Sequence, residues 1–166
     1  MVTKSYIRKN LDDIHHLYHS SSSQRKKLFY SKLAILELCG WLEESMDDIA
    51  KRCCNRNIKK IKNRDKILDA IKRTYGFEYD RHFRKMLITI IGYKGIELIE
   101  KKADSLTFQK FKSTLGMLKG KRDAQAHTYV RGIMTTIDAP SVTLSKFQNL
   151  YEGLLEMDMI LKALKY

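Results

Sequence analysis

The stretch 24-QRKKLFYSKLAILELCGWLEESMDDIAKRCC-54 decides the fold. Its apolar residues recur every three or four positions, which is the period of one face of an α-helix. These residues are Leu28, Ile35, Leu38, Cys39, Leu42, Met46, Ile49 and Cys53. Four serines at 20–23 precede the stretch, and serine is a natural helix-capping residue. We therefore predict one long helix over residues 24–54.

The same period extends along the chain in both directions, with helices predicted over 7–18, 58–75, 79–103, from Ser105 or Thr107 onward, and from Pro140 onward. The predicted inward positions are Ile7, Leu11, Ile14, Tyr18, Ile58, Ile61, Leu68, Ile71, Tyr75, Phe83, Leu87, Ile90, Ile91, Leu98, Phe108, Phe111, Leu115, Leu118, Leu144, Phe147, Tyr151, Leu154, Met157 and Leu161. Gly76 is a plausible helix stop, and residues 132–140 resemble a loop, with 133–137 as a candidate extended piece. Strand-like alternation is missing. We predict an all-α fold, a helical bundle of about five helices, in a single domain over residues 1–166.

Composition excludes several classes of protein. The chain of 166 residues is 43% hydrophobic and 31% charged, which is unlike a disordered tail. Its longest apolar run, residues 86–93, is far shorter than the ~20 residues that span a bilayer. The amino-terminal residues lack the apolar core of a secretory signal. Three cysteines, two of them adjacent, do not make a disulfide framework. We expect a cytoplasmic protein without a membrane segment.

The positive charge is concentrated in the middle of the chain. Residues 51–135 carry 22 basic and 8 acidic residues, whereas residues 1–50 carry 7 of each and residues 136–166 carry 3 basic and 4 acidic. The net charge of +13 therefore lies almost wholly in the central part. A concentrated positive region suggests a polyanionic partner, with RNA or DNA first. A solvated, solubilising surface is the alternative.

One short segment, 122-RDAQAHTY-129, has the residue types for acid–base chemistry. On a continuous helix Asp123 and His127 lie on one face, so the carboxylate can orient the imidazole for proton transfer. Arg122 and Tyr129 share an adjacent face, and a guanidinium suits a phosphodiester because it can hold the phosphate through two hydrogen bonds. Three further cations flank the segment as candidate RNA-binding residues, and they are Lys119, Lys121 and Arg131.

The spacing of this segment also limits what one chain can do. Arg122 and His127 are about 140° apart around an ideal helix at ~100° per residue. They converge on one phosphate only if the helix breaks, or if a second copy supplies the matching half. A surface Asp123–His127 pair without chemistry is the alternative.

The pattern of Arg122, Asp123 and His127 inside an all-α domain of this size resembles the HEPN superfamily, many of whose members are metal-independent endoribonucleases. Thr128 and Tyr129 extend the match to Arg-x4-His-x-Tyr. That longer form is similar to HEPN toxins paired with a small nucleotidyltransferase antitoxin, which attaches nucleotides to the tyrosine. The stretch Gly40–Glu44, Gly-Trp-Leu-Glu-Glu, also looks like a Trp/Glu-containing helix of some HEPN subfamilies.

The resemblance implies a function and an assembly. It implies a homodimer in which two motifs form one composite site that cleaves RNA by attack of its own 2′-OH, without a cofactor. Arg122, Asp123 and His127 would be the catalytic residues, and Tyr129 a site of modification or substrate contact. Antiviral defence or a role as a toxin with a cognate antitoxin follows from the same likeness.

Other interpretations remain open. His15 and His19 have the spacing of a metal-ligand pair, and the cysteines can bind zinc, but no Cys-x2-Cys or His-Glu-x-x-His pattern accompanies them. We therefore assign no metal site. The chain is a nuclease, an RNA- or nucleotide-binding bundle that does not cut, or a DNA- or partner-binding bundle in which residues 121–132 are only surface.

Overall fold

The fold of this protein is entirely helical in the residues that its computed structural model describes, which are 2–126 and 137–166. Six α-helices are found there, together with one π-helical turn at Tyr79–Phe83. The helices are α1 (Ser5–Ser20), α2 (Gln24–Asn57), α3 (Ile61–Lys72), α4 (Arg84–Lys102), α5 (Ser105–Ala126) and α6 (Pro140–Ala163). The predicted all-α bundle is confirmed, with six helices rather than about five.

The long helix α2 is the centre of the bundle. Over its 34 residues it extends about 50 Å at 1.5 Å per residue, and it contacts each of the other five helices. Ser23 caps its start, since the serine hydroxyl accepts a hydrogen bond from the Lys26 amide at 3.4 Å. It ends where Ile58 becomes extended, at φ −97° and ψ 106°. The predicted helix over 24–54 is confirmed and continues to Asn57.

The predicted apolar faces form one core that draws on all six helices. Phe111 on α5 and Gly153 on α6 pack tightly together, because a Cβ at Gly153 would lie 2.5 Å from the Phe111 side chain. A glycine is required there for α5 and α6 to pack as closely as they do. This contact fixes the position of α5, whose carboxyl end holds the candidate site.

Three predicted inward positions are wrong. Ile61 is 65% exposed and Tyr75 is 80% exposed, because Ile58 interrupts the helix, α3 restarts at Ile61 and then ends at Lys72. Leu98 is 39% exposed. Its helix is broken at Gly92, whose φ of 72° and ψ of 173° belong to a region open almost only to glycine. The break shifts the helical phase, so that Ile96 and Ile99 are buried instead.

The connection between α3 and α4 turns sharply and lies beside the candidate site. Gly76 has a φ of +120°, and a Cβ there would lie 2.7 Å from the His82 ring. The predicted helix stop at Gly76 therefore falls in this turn, four residues after the helix has ended. Phe77, the next residue, is 1% exposed and anchors the turn in the core.

The remaining predictions on organisation have mixed outcomes. Helix α6 begins at Pro140, as predicted. Residues 137–139 are irregular, while most of the predicted loop at 132–140 lies outside the described residues. Among the helices that the structure describes, none combines the length and the apolar character that crossing a membrane requires.

Candidate active site

The carboxyl end of α5 holds the described part of the candidate site. Four of the predicted residues lie on its last turns, and they are Lys119, Lys121, Arg122 and Asp123. Helix α5 runs to Ala126, so these residues share one continuous helix. The other three predicted residues, His127, Tyr129 and Arg131, lie outside the described residues. The contact between Asp123 and His127 therefore stays a prediction.

Arg122 points from α5 towards α2 and is mostly covered. Its side chain is 29% exposed, and its guanidinium carbon lies 5.5 Å from the centre of the Phe77 ring. A cation over an aromatic face is attracted to the ring, by about 0.5–2 kcal/mol depending on burial. Phe77 thus positions the guanidinium at the junction of α5, α2 and the turn before α4.

Two carboxylates lie near the Arg122 guanidinium but form no hydrogen bond with it. Glu43 Oε1 on α2 lies 3.6 Å from its Nη2, and Asp123 Oδ1 lies 3.3 Å from its Nε. The Nε is nevertheless buried and has no hydrogen-bond partner within the described residues. A buried N–H without a partner costs about 1–3 kcal/mol. One N–H of the guanidinium therefore makes no hydrogen bond in the described residues, although the Asp123 carboxylate lies beside it.

The cluster around Arg122 is electrically balanced. Lys119 Nζ lies 3.6 Å from Asp123 Oδ2, one helical turn away. Two cations, Lys119 and Arg122, thus face two carboxylates, Glu43 and Asp123. All four side chains are between 29% and 43% exposed, so water screens their attraction considerably. A phosphate approaching this site competes with carboxylates already there.

Lys121 is turned to a different partner. Its ammonium group, together with that of Lys146 on α6, binds the Asp138 carboxylate. Burial pushes the pKa of Asp138 up, but the two lysines outweigh it and hold the pKa below its usual value. The hydrogen bond to Asp138 likewise raises the pKa of Lys121. Lys121 therefore ties α5 to the segment before α6, and its predicted contact with RNA would compete with that ion pair.

Cys39 is the nearest thiol to the cluster and is unsuited to nucleophilic chemistry. Burial raises its pKa to about 12, although the Arg122 charge opposes this and the Glu43 charge adds to it. A thiolate, not a thiol, is the reactive species. Any chemistry at this end of α5 must therefore come from other groups.

Sequence reasoning missed two neighbours of Arg122. Glu43 belongs to the stretch Gly40–Glu44 that drew attention as a Trp/Glu-containing helix, so a weak signal was present. Phe77 gave no signal, because nothing in the local sequence places a core phenylalanine under an arginine 45 positions later. In the same stretch Trp41 has a structural role, since its Nε1 donates to the Thr3 carbonyl at 3.0 Å.

The histidines considered for metal binding lie at the far end of the bundle. His15 Nε2 and His19 Nε2 are 2.8 Å apart on α1. Among the described residues, no group of three or more His, Cys, Asp or Glu side chains is placed to share a metal ion.

Comparison of the chain with protein-family models, with curated proteins and with solved structures finds no match.

Proposed function

We propose that this protein is a metal-independent endoribonuclease of the HEPN type, which acts in the cytoplasm as a toxin or in antiviral defence. The proposal rests on the mostly covered Arg122 guanidinium, which Phe77 positions at the end of α5 and which no carboxylate of the described residues holds by a hydrogen bond. Four residues separate Arg122 from His127, and the chain around them is strongly basic. A guanidinium held this way suits the charge that develops on a phosphate during cleavage.

The proposed reaction is internal transesterification. His127 removes the proton from the ribose 2′-OH, and the 2′-oxygen forms a bond to the adjacent phosphorus. The bond from phosphorus to the 5′-oxygen breaks, and that oxygen takes a proton, from the second copy's imidazole in a composite site. Arg122 stabilises the added charge on the phosphate, and Asp123 orients the neighbouring groups. The products are a 2′,3′-cyclic phosphate and a 5′-hydroxyl, and DNA is not cut because it lacks the nucleophile.

The proposal includes a homodimer. The guanidinium of Arg122 and the imidazole of His127 diverge by about 140° if α5 continues for one residue beyond Ala126. Two copies meeting at this end of α5 would place the arginine of one beside the histidine of the other. A nucleotidyltransferase antitoxin acting on Tyr129 would then silence the site at its edge.

A second candidate function is RNA or nucleotide binding without cleavage. The observation that favours it is the pair of carboxylates on Arg122, at 3.3 and 3.6 Å, which neutralise the guanidinium. A neutralised arginine contributes less to transition-state stabilisation than a free one, because the carboxylates oppose the developing negative charge. In this alternative the cluster holds a phosphate edge and the basic surface supplies the affinity.

Incubation of the protein with RNA in EDTA separates these functions. We expect cleavage with cyclic-phosphate ends, lost in Arg122→Ala and His127→Ala and retained in the control Lys101→Ala, an exposed cation on α4. Saturable, salt-sensitive binding without cleavage by the unaltered protein supports the second function instead. If the protein neither binds nor cleaves RNA, both candidate functions are overturned and the partner-binding bundle remains. Light scattering of the same samples tests the dimer.

A further inference from the structure

Helix α3 and the residues that flank it carry a dense set of cations. Residues 59–73 include seven basic and two acidic side chains. In the described part of the chain, none of the seven takes part in an ion pair. By contrast, Arg52, Arg84 and Lys146 are each paired with a carboxylate. Cations without a carboxylate partner can neutralise the phosphates of a nucleic acid and release its counterions, which raises the binding affinity.

A groove runs between α3 and α4 beside these cations. Its volume is about 120 Å³, and its floor is apolar, formed by Ile67, Ile71 and Met86. Arg81 of the π-helical turn and Lys85 of α4 form the opposite side. On the α3 side, Lys66 and Arg73 lie four and three residues from Ala70, which also lines the groove, so they share its face. Cations therefore stand along both rims.

Arg81 connects this groove to a second one that leads to the candidate site. The second groove, of about 230 Å³, lies between the π-helical turn and α5 and is lined by Arg81, Lys112 and Gly116. Along α5 from Lys112, Lys119 and Arg122 follow at +7 and +10, within about 15 Å at 1.5 Å per residue. The two grooves and the end of α5 thus form one continuous path, and each of these three parts carries at least one cation.

The two acidic residues that line the second groove lie beside its cations. Asp80 is bound to Lys112 at 2.9 Å, and Glu78 lies 4.0 Å from Arg81, at the limit of an ion pair. Arg81 remains 71% exposed. Its charge is therefore available to a ligand in solution.

We propose that this path, from α3 across Arg81 to the end of α5, binds a single strand of RNA. Both grooves are smaller than the ~300–1,000 Å³ of a small-molecule pocket, so they suit a strand lying across them. Tyr75, 80% exposed and next to the groove residue Thr74, offers a ring on which a base can stack. That the bound strand is also the substrate rests on the proposed function. Binding itself does not need cleavage.

The test is the binding of a fluorescein-labelled 2′-O-methyl oligouridine of about fifteen nucleotides, measured by fluorescence anisotropy. This probe has no free 2′-OH, so the proposed reaction cannot destroy it. The variant is Arg81→Ala with Lys85→Ala. The control, Lys101→Ala with Lys102→Ala, removes the same charge from the opposite end of α4. Circular dichroism checks that all three proteins are folded.

We expect the Arg81/Lys85 variant to bind about 25-fold more weakly at ~0.1 M salt. Two lost phosphate contacts at a slope of ~0.7 each also lower the salt dependence of log K by about 1.4. Tyr75→Ala is a second variant, with an expected loss of about fivefold or more because one stacked base is lost. If both variants bind as the control does, the path is wrong. Stronger binding of a DNA duplex of equal length would also overturn it.

The two proposals fail separately. If the unaltered protein does not cut RNA in EDTA but the Arg81/Lys85 variant still loses affinity, the nuclease proposal fails and the path stands. If the unaltered protein cuts RNA and the variant binds like its control, the path fails and the nuclease stands.

Discussion

Two arginines reach from one helix to another in this bundle, and they are held in different ways. Arg52 on α2 donates a hydrogen bond to Asp158 on α6 at 2.9 Å, and that carboxylate is 4% exposed. Arg122 on α5 lies 3.6 Å from Glu43 and 3.3 Å from Asp123, and both carboxylates are more than a third exposed. Each arginine has a buried Nε without a hydrogen-bond partner in the described residues.

The difference separates a short ion pair with a buried carboxylate from longer pairs with exposed carboxylates. Asp158 receives a second cation from Lys162 at 2.5 Å, so a buried carboxylate is matched by two donors. Arg122 is in the opposite position, with one cation between two loosely placed carboxylates. A short pair with a buried carboxylate holds helices in place, whereas a longer pair with an exposed carboxylate can be exchanged for another anion. The same residue type therefore holds two helices by a hydrogen bond at one place and only approaches its carboxylates at the other.

The largest effect is expected at Arg122. Arg122→Ala should lower the rate of RNA cleavage by about 10²–10³-fold, since it removes the group that stabilises the phosphate charge. Its effect on the free energy of unfolding should stay near 1 kcal/mol, because the ion pairs that it loses are exposed. Single-turnover cleavage and urea unfolding of the same sample measure both. A variant that unfolds at much lower urea would place Arg122 in the same structural class as Arg52.

Asp158→Asn should affect stability and not cleavage. The carboxylate is buried and paired, so we expect a loss of about 1–3 kcal/mol in the free energy of unfolding. Asp12→Asn is the matched control, because Asp12 pairs with Arg8 at 2.8 Å but is 48% exposed. That control should lose less than ~0.5 kcal/mol. Equal losses in the two variants would remove the distinction between buried and exposed pairs.

The stabilisation by Asp158 should depend on pH in a defined direction. Burial raises the pKa of Asp158, but the hydrogen bonds from Lys162 and Arg52 outweigh it, and the net pKa lies below the usual value. Such a group stabilises the fold fully above its unfolded pKa of about 3.9 and loses that effect as pH falls through the folded pKa. The stability difference between the unaltered protein and Asp158→Asn should be the same at about pH 7 and 5 and smaller near pH 3. A difference that grows on acidification would contradict it.

The smallest effect is expected at Glu43. Glu43→Gln removes one of the two carboxylates on Arg122, so the guanidinium should bind RNA a few-fold more tightly, with an unfolding free energy changed by about 0.2–1 kcal/mol. Glu44→Gln is the matched control, since Glu44 is its exposed neighbour and forms no ion pair with Arg122 among the described residues. Anisotropy with the 2′-O-methyl probe compares them. If both variants gain the same affinity, the gain comes from the change in net charge alone.

Much of the fold could be predicted from the sequence because helix periodicity is local. The long helix over 24–54, the start of α6 at Pro140 and most inward positions follow from spacing alone. The errors at Ile61 and Leu98 arose where the helical phase is reset, at Ile58 and at Gly92, and the error at Tyr75 arose because α3 ends at Lys72. A reset changes which face is inward without changing the composition of the helix.

Less of the candidate site could be predicted. The short motif selected Arg122 and Asp123, but it treated Lys121 as free for RNA, whereas the lysine is paired with Asp138. It also gave no indication that Glu43 and Phe77 flank the guanidinium. These partners are distant in sequence, and their proximity depends on how α5 crosses α2.

The sequence by itself determined the helical class, the central position of charge and the residue types at the end of α5, because each depends on neighbours along the chain. The tertiary structure alone decided which cations of the described residues are matched by carboxylates and which are not. That outcome depends on the distance and the water between side chains of different helices, and those are set by packing angle and helical phase.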